Sequence, residues 1–183
     1  DILSAPDNHH ADYQPPPDGP IASYGRNPHA YSTIYDADAV STGHDTTVGI
    51  IAAGDMTQTI ADLNSFTDRE ALQRIDTHVV KVGHGTFGTD GAQDESQVIA
   101  ATAGQLKQMV FYAIAPFGAT PNQADVTAAY SRAVADNTAK IIQTSWSLDE
   151  ASSHYSGQQA IDDAIFLAAR AQGQVVMATA GSA

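Results

Sequence analysis

Asp90, Asp94 and Glu95 are the side chains best placed to do chemistry. They fall in Gly88-Thr89-Asp90-Gly91-Ala92-Gln93-Asp94-Glu95-Ser96-Gln97-Val98-Ile99-Ala100, which reads as a loop running into a helix. At a helix start the backbone N–H groups have no partners within the helix and favour negative charge. Asp90 and Asp94 are four residues apart and would share one helical face if the helix began early. Carboxylates paired in this way can divide general-acid and general-base work. The same residues can also be ordinary capping, the commoner use of acidic side chains at a helix start.

Other residues suggest weaker chemistry. Seven histidines invite a metal reading, but His9-His10 has no second pair at helical spacing and reads as surface. Ser182, between Gly181 and Ala183, lacks the Gly-x-Ser-x-Gly elbow of an activated nucleophile. Trp146 and the serine-rich turn after it either line a groove or pack at a loop base.

A regular scaffold stands behind these residues. Pro15-Pro16-Pro17 and Asp18-Gly19-Pro20 make residues 1–27 an extended arm, after which Asn27-Pro28 opens a short helix through Tyr35. Thr46 to Ala52 is a continuous apolar run suited to a strand buried on both faces. Helical spacing runs from Thr57 to about Leu72, then come a strand over 77–82 and a helix from about Gln93 to Gln108. Met109 to Ala115 is the next buried strand. Val126, Ala129, Tyr130, Ala133 and Val134 mark an amphipathic helix over 122–136. Residues 139–145 are a strand, 158–172 a helix ended by Gly173, and 174–179 the last strand.

Alternating strands and helices predict an α/β fold, a parallel sheet flanked by helices on both faces with right-handed crossovers. Function in such sheets lies beyond the carboxyl ends of the strands. Here those ends are 52–55, 83–91, 116–120, 145–150 and 180–183. A final apolar strand with no covering helix would leave a pairing edge exposed. A C-terminal fragment or second chain is therefore expected to complete the domain that residues 28–183 begin.

Composition narrows the partners. The 183 residues carry a net charge of −13 with only eight lysines and arginines. Nucleic acid and anionic membrane surfaces both need basic patches, so neither is an expected partner. Hydrophobic residues make up 43%, enough for a real core, and no apolar run reaches the roughly 20 residues that span a bilayer. The start, Asp1-Ile2-Leu3-Ser4, has neither the basic nor the apolar region of a leader. The lack of cysteine removes thiolate catalysis and disulfides together.

An ordered series of short motifs resembles one family. It runs through Asn27-Pro28, Thr33-Ile34-Tyr35-Asp36-Ala37, Thr46 to Ile51, Thr57-Gln58-Thr59-Ile60-Ala61-Asp62-Leu63, Phe66-Thr67 and Ser96-Gln97. It continues through Phe111-Tyr112, Ala133 to Asn137, Ala139-Lys140 and Ala171-Gln172-Gly173-Gln174. The sequence is similar to the N-terminal half of the sedolisins, the serine-carboxyl peptidases, which have a subtilisin-like fold. The resemblance implies an acid endopeptidase lineage, a secreted or periplasmic location, and a protein or peptide substrate or ligand. It also implies a serine nucleophile in a downstream Gly-Thr-Ser motif, a glutamate base at a helix start, an aspartate four residues later orienting that base, and a separate oxyanion aspartate. The family's calcium site belongs to the C-terminal half, so no metal or cofactor is expected within these residues.

Carried across residue by residue, the pattern breaks. With Ser96-Gln97 as anchor, the orienting aspartate corresponds to Glu95 and the glutamate base to Gly91, which cannot accept a proton. Counted from Gly173-Gln174, the oxyanion aspartate corresponds to Ser182. Sliding the helix by one residue would pair Asp90 with Asp94 at the cost of the anchor. His84-Gly85-Thr86 echoes subtilisin's His-Gly-Thr, but the first strand lacks the aspartate at its end, Asp55 coming late by register. The chain therefore supports two readings. One is a non-catalytic homologue that binds or scaffolds. The other is an acid endopeptidase cleaved into two chains, using Asp90, Asp94 or Glu95 with a serine on the second chain.

Overall fold

A computed structural model describes residues 34–37, 39–40, 42–85, 93–115, 121–146 and 154–179, and of Gln93 and Asp94 the backbone alone. The chain divides into two units, Asp1–Asp38 and Ala39–Ala183. The arm expected over residues 1–27 and the short helix after it fall on or next to residues outside this description. The second unit holds the sheet and the helices that flank it.

Five strands form one parallel sheet: β1 Thr47–Ala53, β2 Asp76–Val82, β3 Gln108–Ile114, β4 Ile141–Thr144 and β5 Val175–Ala178, in the order β2-β3-β1-β4-β5. β1 lies in the middle, and its first six residues are buried. The apolar run Val48-Gly49-Ile50-Ile51-Ala52 reflects this, because both faces of the strand are covered. Among the described residues, the connections between strands carry the helices α1 Thr57–Arg69, α2 Gln93–Ala103, α3 Gln123–Asp136 and α4 Gln158–Ala171.

Two hydrophobic cores result, one on each face. On the first, Val48, Ile50 and Ala52 of β1 and Met109, Phe111 and Ala113 of β3 meet Leu63 and Phe66 of α1 and Ala100 and Ala101 of α2. On the second, Ile51, Val110, Tyr112 and Ile114 meet Val126, Ala129, Tyr130 and Ala133 of α3 and Ala169 of α4.

This distribution corrects the expectation of uniformly right-handed crossovers. The chain moves outward from β1 to β2 and back from β2 to β3, yet α1 and α2 cover the same face. The connection β2–α2–β3 therefore has the opposite hand to the other three, and by the usual right-handed preference it is the left-handed one. The reason is space. α3 packs across β3, β1 and β2 on the second face, taking the ground that a right-handed α2 would need.

α2 also ends earlier than its apolar pattern suggests. Gly104 takes a left-handed conformation (φ +71°), and the Ala103 carbonyl accepts hydrogen bonds from the N–H groups of Gly43 (3.0 Å) and Gln105 (2.8 Å). The segment from Gln105 is thereby released to reach β3 at Gln108. α3 begins with a reciprocal cap. The Asp125 N–H donates to Asn122 Oδ1, and the Asn122 N–H donates to Asp125 Oδ2, both at 3.0 Å.

Gly49 shows how tightly the second face is packed. A Cβ there would lie 3.1 Å from both Ala139 Cβ and the Tyr112 ring. The Tyr112 hydroxyl is buried without a hydrogen-bond partner among the described residues, and burial pushes its pKa up to about 12. Opposite outcomes are expected at these two neighbours in urea unfolding. Gly49→Ala destabilises by about 1–3 kcal/mol through overpacking. Tyr112→Phe, which removes an unpaired polar atom, is neutral or stabilising by up to about 1 kcal/mol.

Candidate functional site

The carboxyl ends of all five strands lie along one edge of the sheet, as parallel pairing requires. At the end of β1 the chain turns at Gly54 (φ +92°), whose N–H donates to the Ile114 carbonyl at 3.1 Å. Asp55 then accepts two hydrogen bonds through Oδ1, from the Thr57 N–H (2.8 Å) and the Thr57 hydroxyl (2.6 Å). This side chain sets the start of α1. The Thr57 hydroxyl, followed by the Thr57 N–H, holds its carboxyl below the usual carboxylate range, and the Lys81 ammonium adds a smaller pull in the same direction. Asp55, Thr57, Ile60, Val79 and Lys81 border a cleft of about 270 Å³.

At the end of β2, Gly83 takes φ +90°, with the Ala115 carbonyl 2.9 Å from where a Cβ would sit. A side chain is barred there twice, by conformation and by contact. The turn wraps the end of β3, with the Gly85 N–H donating to Ala115 O (2.9 Å) and the Ala115 N–H donating to Val82 O (2.8 Å). His84 is exposed on this turn. Ala53 and Val82 flank the same residue, Ile114, from opposite sides, so the strand ends leading to Asp55 and His84 are about 10 Å apart. Asp55 is occupied with α1 and His84 stands beyond an intervening strand, so the two do not form a subtilisin-like pair.

Of the sequence-derived candidates, Glu95 is described in full. It is half-buried, third residue of α2, in the helix's first turn. Asp94 precedes it in the same turn. Asp90, Gly91 and Ser182 lie outside the described residues, as does His9-His10. α2 begins at Gln93, so Asp90 precedes the described helix by three positions. Next to Glu95, Ser96 is completely buried.

The end of β4 is organised by a buried hydroxyl. Thr144 Oγ1 lies 3.1 Å from the Tyr130 hydroxyl and accepts from the Trp146 N–H at 3.2 Å. Trp146 is half-buried against the second core, so this aromatic packs. Tyr130 meets Phe166 edge-on, with centroids 5.2 Å apart. Burial raises the Tyr130 pKa above its ordinary value, with Asp162 pushing the same way.

Nearby, Thr127 of α3 donates to Asp162 Oδ1 of α4 (2.7 Å) and accepts from Gln158 Nε2 (2.7 Å), which ties the two helices together. Sequence reasoning did not single out Asp162. Its signal was an acidic residue beside Ile161 and Ala164 within an otherwise apolar stripe. Among the described residues no three of His, Asp and Glu gather as a metal site.

No family model matches the sequence. Individual proteins do. Xanthomonalisin of Xanthomonas sp. (strain T-22) is 41% identical over 165 residues, covering 86% of this chain and 20% of that protein. Sedolisin of Pseudomonas sp. (strain 101) is 37% identical over 165 residues, covering 86% of this chain and 28% of that protein. Among solved structures, Pseudomonas sedolisin, a serine-carboxyl proteinase complexed with two molecules of pseudo-iodotyrostatin, superimposes with a TM-score of 0.77 at 36% identity. That match covers 84% of this chain and 44% of that one. The chain thus spans between a fifth and three-tenths of the length of these curated relatives.

Two measurements test this site's framework. A carboxylate held below its ordinary pKa adds stability above its unfolded-state value and loses it as pH falls through the folded-state value. Asp55→Ala should therefore lower the melting temperature at neutral pH, and the difference between the two proteins should shrink as pH falls below the ordinary carboxylate range. Thr127→Val leaves Asp162 Oδ1 without its hydroxyl donor and should cost about 1–3 kcal/mol in urea unfolding.

Proposed function

The chain belongs to the sedolisin family, and from that premise we propose that it is a non-catalytic homologue, with a role in binding or scaffolding a protein or peptide. The burial of Ser96 carries this reading. Ser96 sits on the inner face of α2 with no solvent exposure, in line with Ala100 one turn later. That burial supports Ser96-Gln97 as the anchor for comparing α2 with the family pattern. With Ser96-Gln97 as anchor, the orienting position is Glu95 and the base position is Gly91, where a hydrogen atom stands in place of a side chain.

Pairing Asp90 with Asp94 would mean sliding the helix by one residue. That pairing gives up the Ser96-Gln97 match on which the comparison of this helix rests. The oxyanion position, counted from Gly173-Gln174, is Ser182, whose hydroxyl is a different donor from a protonated carboxyl.

A second reading has one observation in its favour. Glu95 is half-buried in the first turn of α2, where partnerless backbone N–H groups stabilise negative charge, and Asp94 adjoins it in sequence. In that reading the protein is an acid endopeptidase whose rearranged carboxylates serve a serine on another chain or fragment. Under either reading we place the protein outside the cytoplasm, as the lineage suggests. No helix among the described residues is long and apolar enough to cross a membrane.

Casein hydrolysis from about pH 3 to about pH 8 separates the two, since a carboxylate base works best near its own pKa. No hydrolysis is expected at any pH. Hydrolysis that disappears in Asp94→Asn or Glu95→Gln would establish the second reading, and intact mass would show whether a second chain accompanies it.

A further inference from the structure

The cleft of about 270 Å³ lies where β1 and β2 end and α1 begins, and none of its described lining comes from α2. Val79 and Lys81 are two residues apart on β2 and so share the face that α1 covers. Ile60 and Val79 pack against the first core but stay half-buried, and Met56 beside them is buried. The cleft therefore has an apolar floor that α1 and β2 leave partly uncovered.

One carboxylate and one ammonium, both exposed, stand at its rim. The bonds from Thr57 commit Asp55 to the start of α1, but they use Oδ1 alone. They fix the side chain and leave Oδ2 without a hydrogen bond among the described residues. Thr57 first, and Lys81 to a smaller extent, hold the Asp55 carboxyl below its ordinary range, so the ammonium is within electrostatic reach of it. A negative and a positive group thus share one rim over apolar surface. Charge selects what such a rim accepts. A ligand with two negative charges sets one against Asp55 and both against a chain of net charge −13. A ligand with two positive charges sets one against Lys81. A molecule with one charge of each sign avoids both conflicts.

We propose that this cleft binds the zwitterion of a free α-amino acid with an apolar side chain. Its ammonium donates to Asp55 Oδ2, its carboxylate accepts from Lys81 Nζ, and its side chain lies on Met56, Ile60 and Val79. The first residue of a peptide offers the same ammonium and side chain, but an amide stands where the carboxylate would be. Lys81 therefore favours the free amino acid over the peptide. The inference goes beyond the proposed function and uses no carboxylate of α2, so the failure of either leaves the other standing.

Leucine titrated into isotope-labelled protein at neutral pH and low salt, followed by amide chemical shifts, provides the test. The amides of Thr57 and Lys81 should move together, with a Kd of about 1–10 mM, the strength that exposed charge pairs and one apolar side chain support. Leucinamide, which lacks the carboxylate, and N-acetylleucine, which lacks the ammonium, should each bind about threefold or more weakly. Asp55→Asn keeps an acceptor for Thr57 but loses the charge, and it should weaken leucine by a similar factor. Lys81→Met should do the same and also erase leucine's advantage over leucinamide. No shift at Thr57 and Lys81, or equal binding of leucine and its two blocked forms, overturns the proposal. So does tighter binding of the peptide Leu-Gly-Gly than of leucine, which would make the occupant a peptide terminus. Should a variant fail to fold, the comparison of leucine with its blocked forms on the unsubstituted protein decides.

Discussion

A parallel sheet can join its strands only through crossovers, and each crossover must lie over one face or the other. In this chain that constraint falls hardest on the second face, where α3 packs across three strands at once. Its apolar stripe, Val126, Ala129, Tyr130 and Ala133, is almost without exposure. With that ground taken, α2 has to share the first face with α1. The left-handed connection is the result, and with it the placing of α2's first turn, which carries Asp94 and Glu95, on α1's side of the sheet. The position of the acidic helix start is thus a consequence of how the opposite face is filled.

The strand ends have their own chemistry of backbone satisfaction. Gly54, Val82 and Gly85 tie the ends of β1 and β2 to the end of β3 through hydrogen bonds with Ile114 and Ala115. Asp55 and Asp162 are both spent on hydroxyl donors, one starting α1 and the other joining α3 to α4. These carboxylates look available in the sequence and are committed in the structure. The acidic group left in the first turn of α2 is therefore the more informative one.

Much of the fold was legible in the chain alone. The strands and helices lie within a few residues of their expected bounds because two-sided burial writes itself as unbroken apolar runs, and one-sided burial as a helical stripe. The features that escaped the sequence are non-local. The end of α2 depends on Gly43, distant in sequence, capturing the Ala103 carbonyl. The reversed crossover depends on a helix that the chain has yet to make when it leaves β2. For the site, the anchor Ser96-Gln97 was visible as a motif, but the burial that gives Ser96 its weight is a property of the packed helix. Roles that hang on Asp90, Gly91 and Ser182 fall on residues outside those described, and local sequence pattern alone does not assign them.

Trp146 has one more consequence. It is the chain's single tryptophan, half-buried against the second core, and its backbone is held by the hydroxyl that also meets Tyr130. The indole therefore stands where β4 gives way to the loop at the strand-end edge. Excitation beyond the absorption band of the seven tyrosines draws emission from this one fluorophore at one known place. Its wavelength and quenching report on the carboxyl end of β4 and the second core without any label being attached.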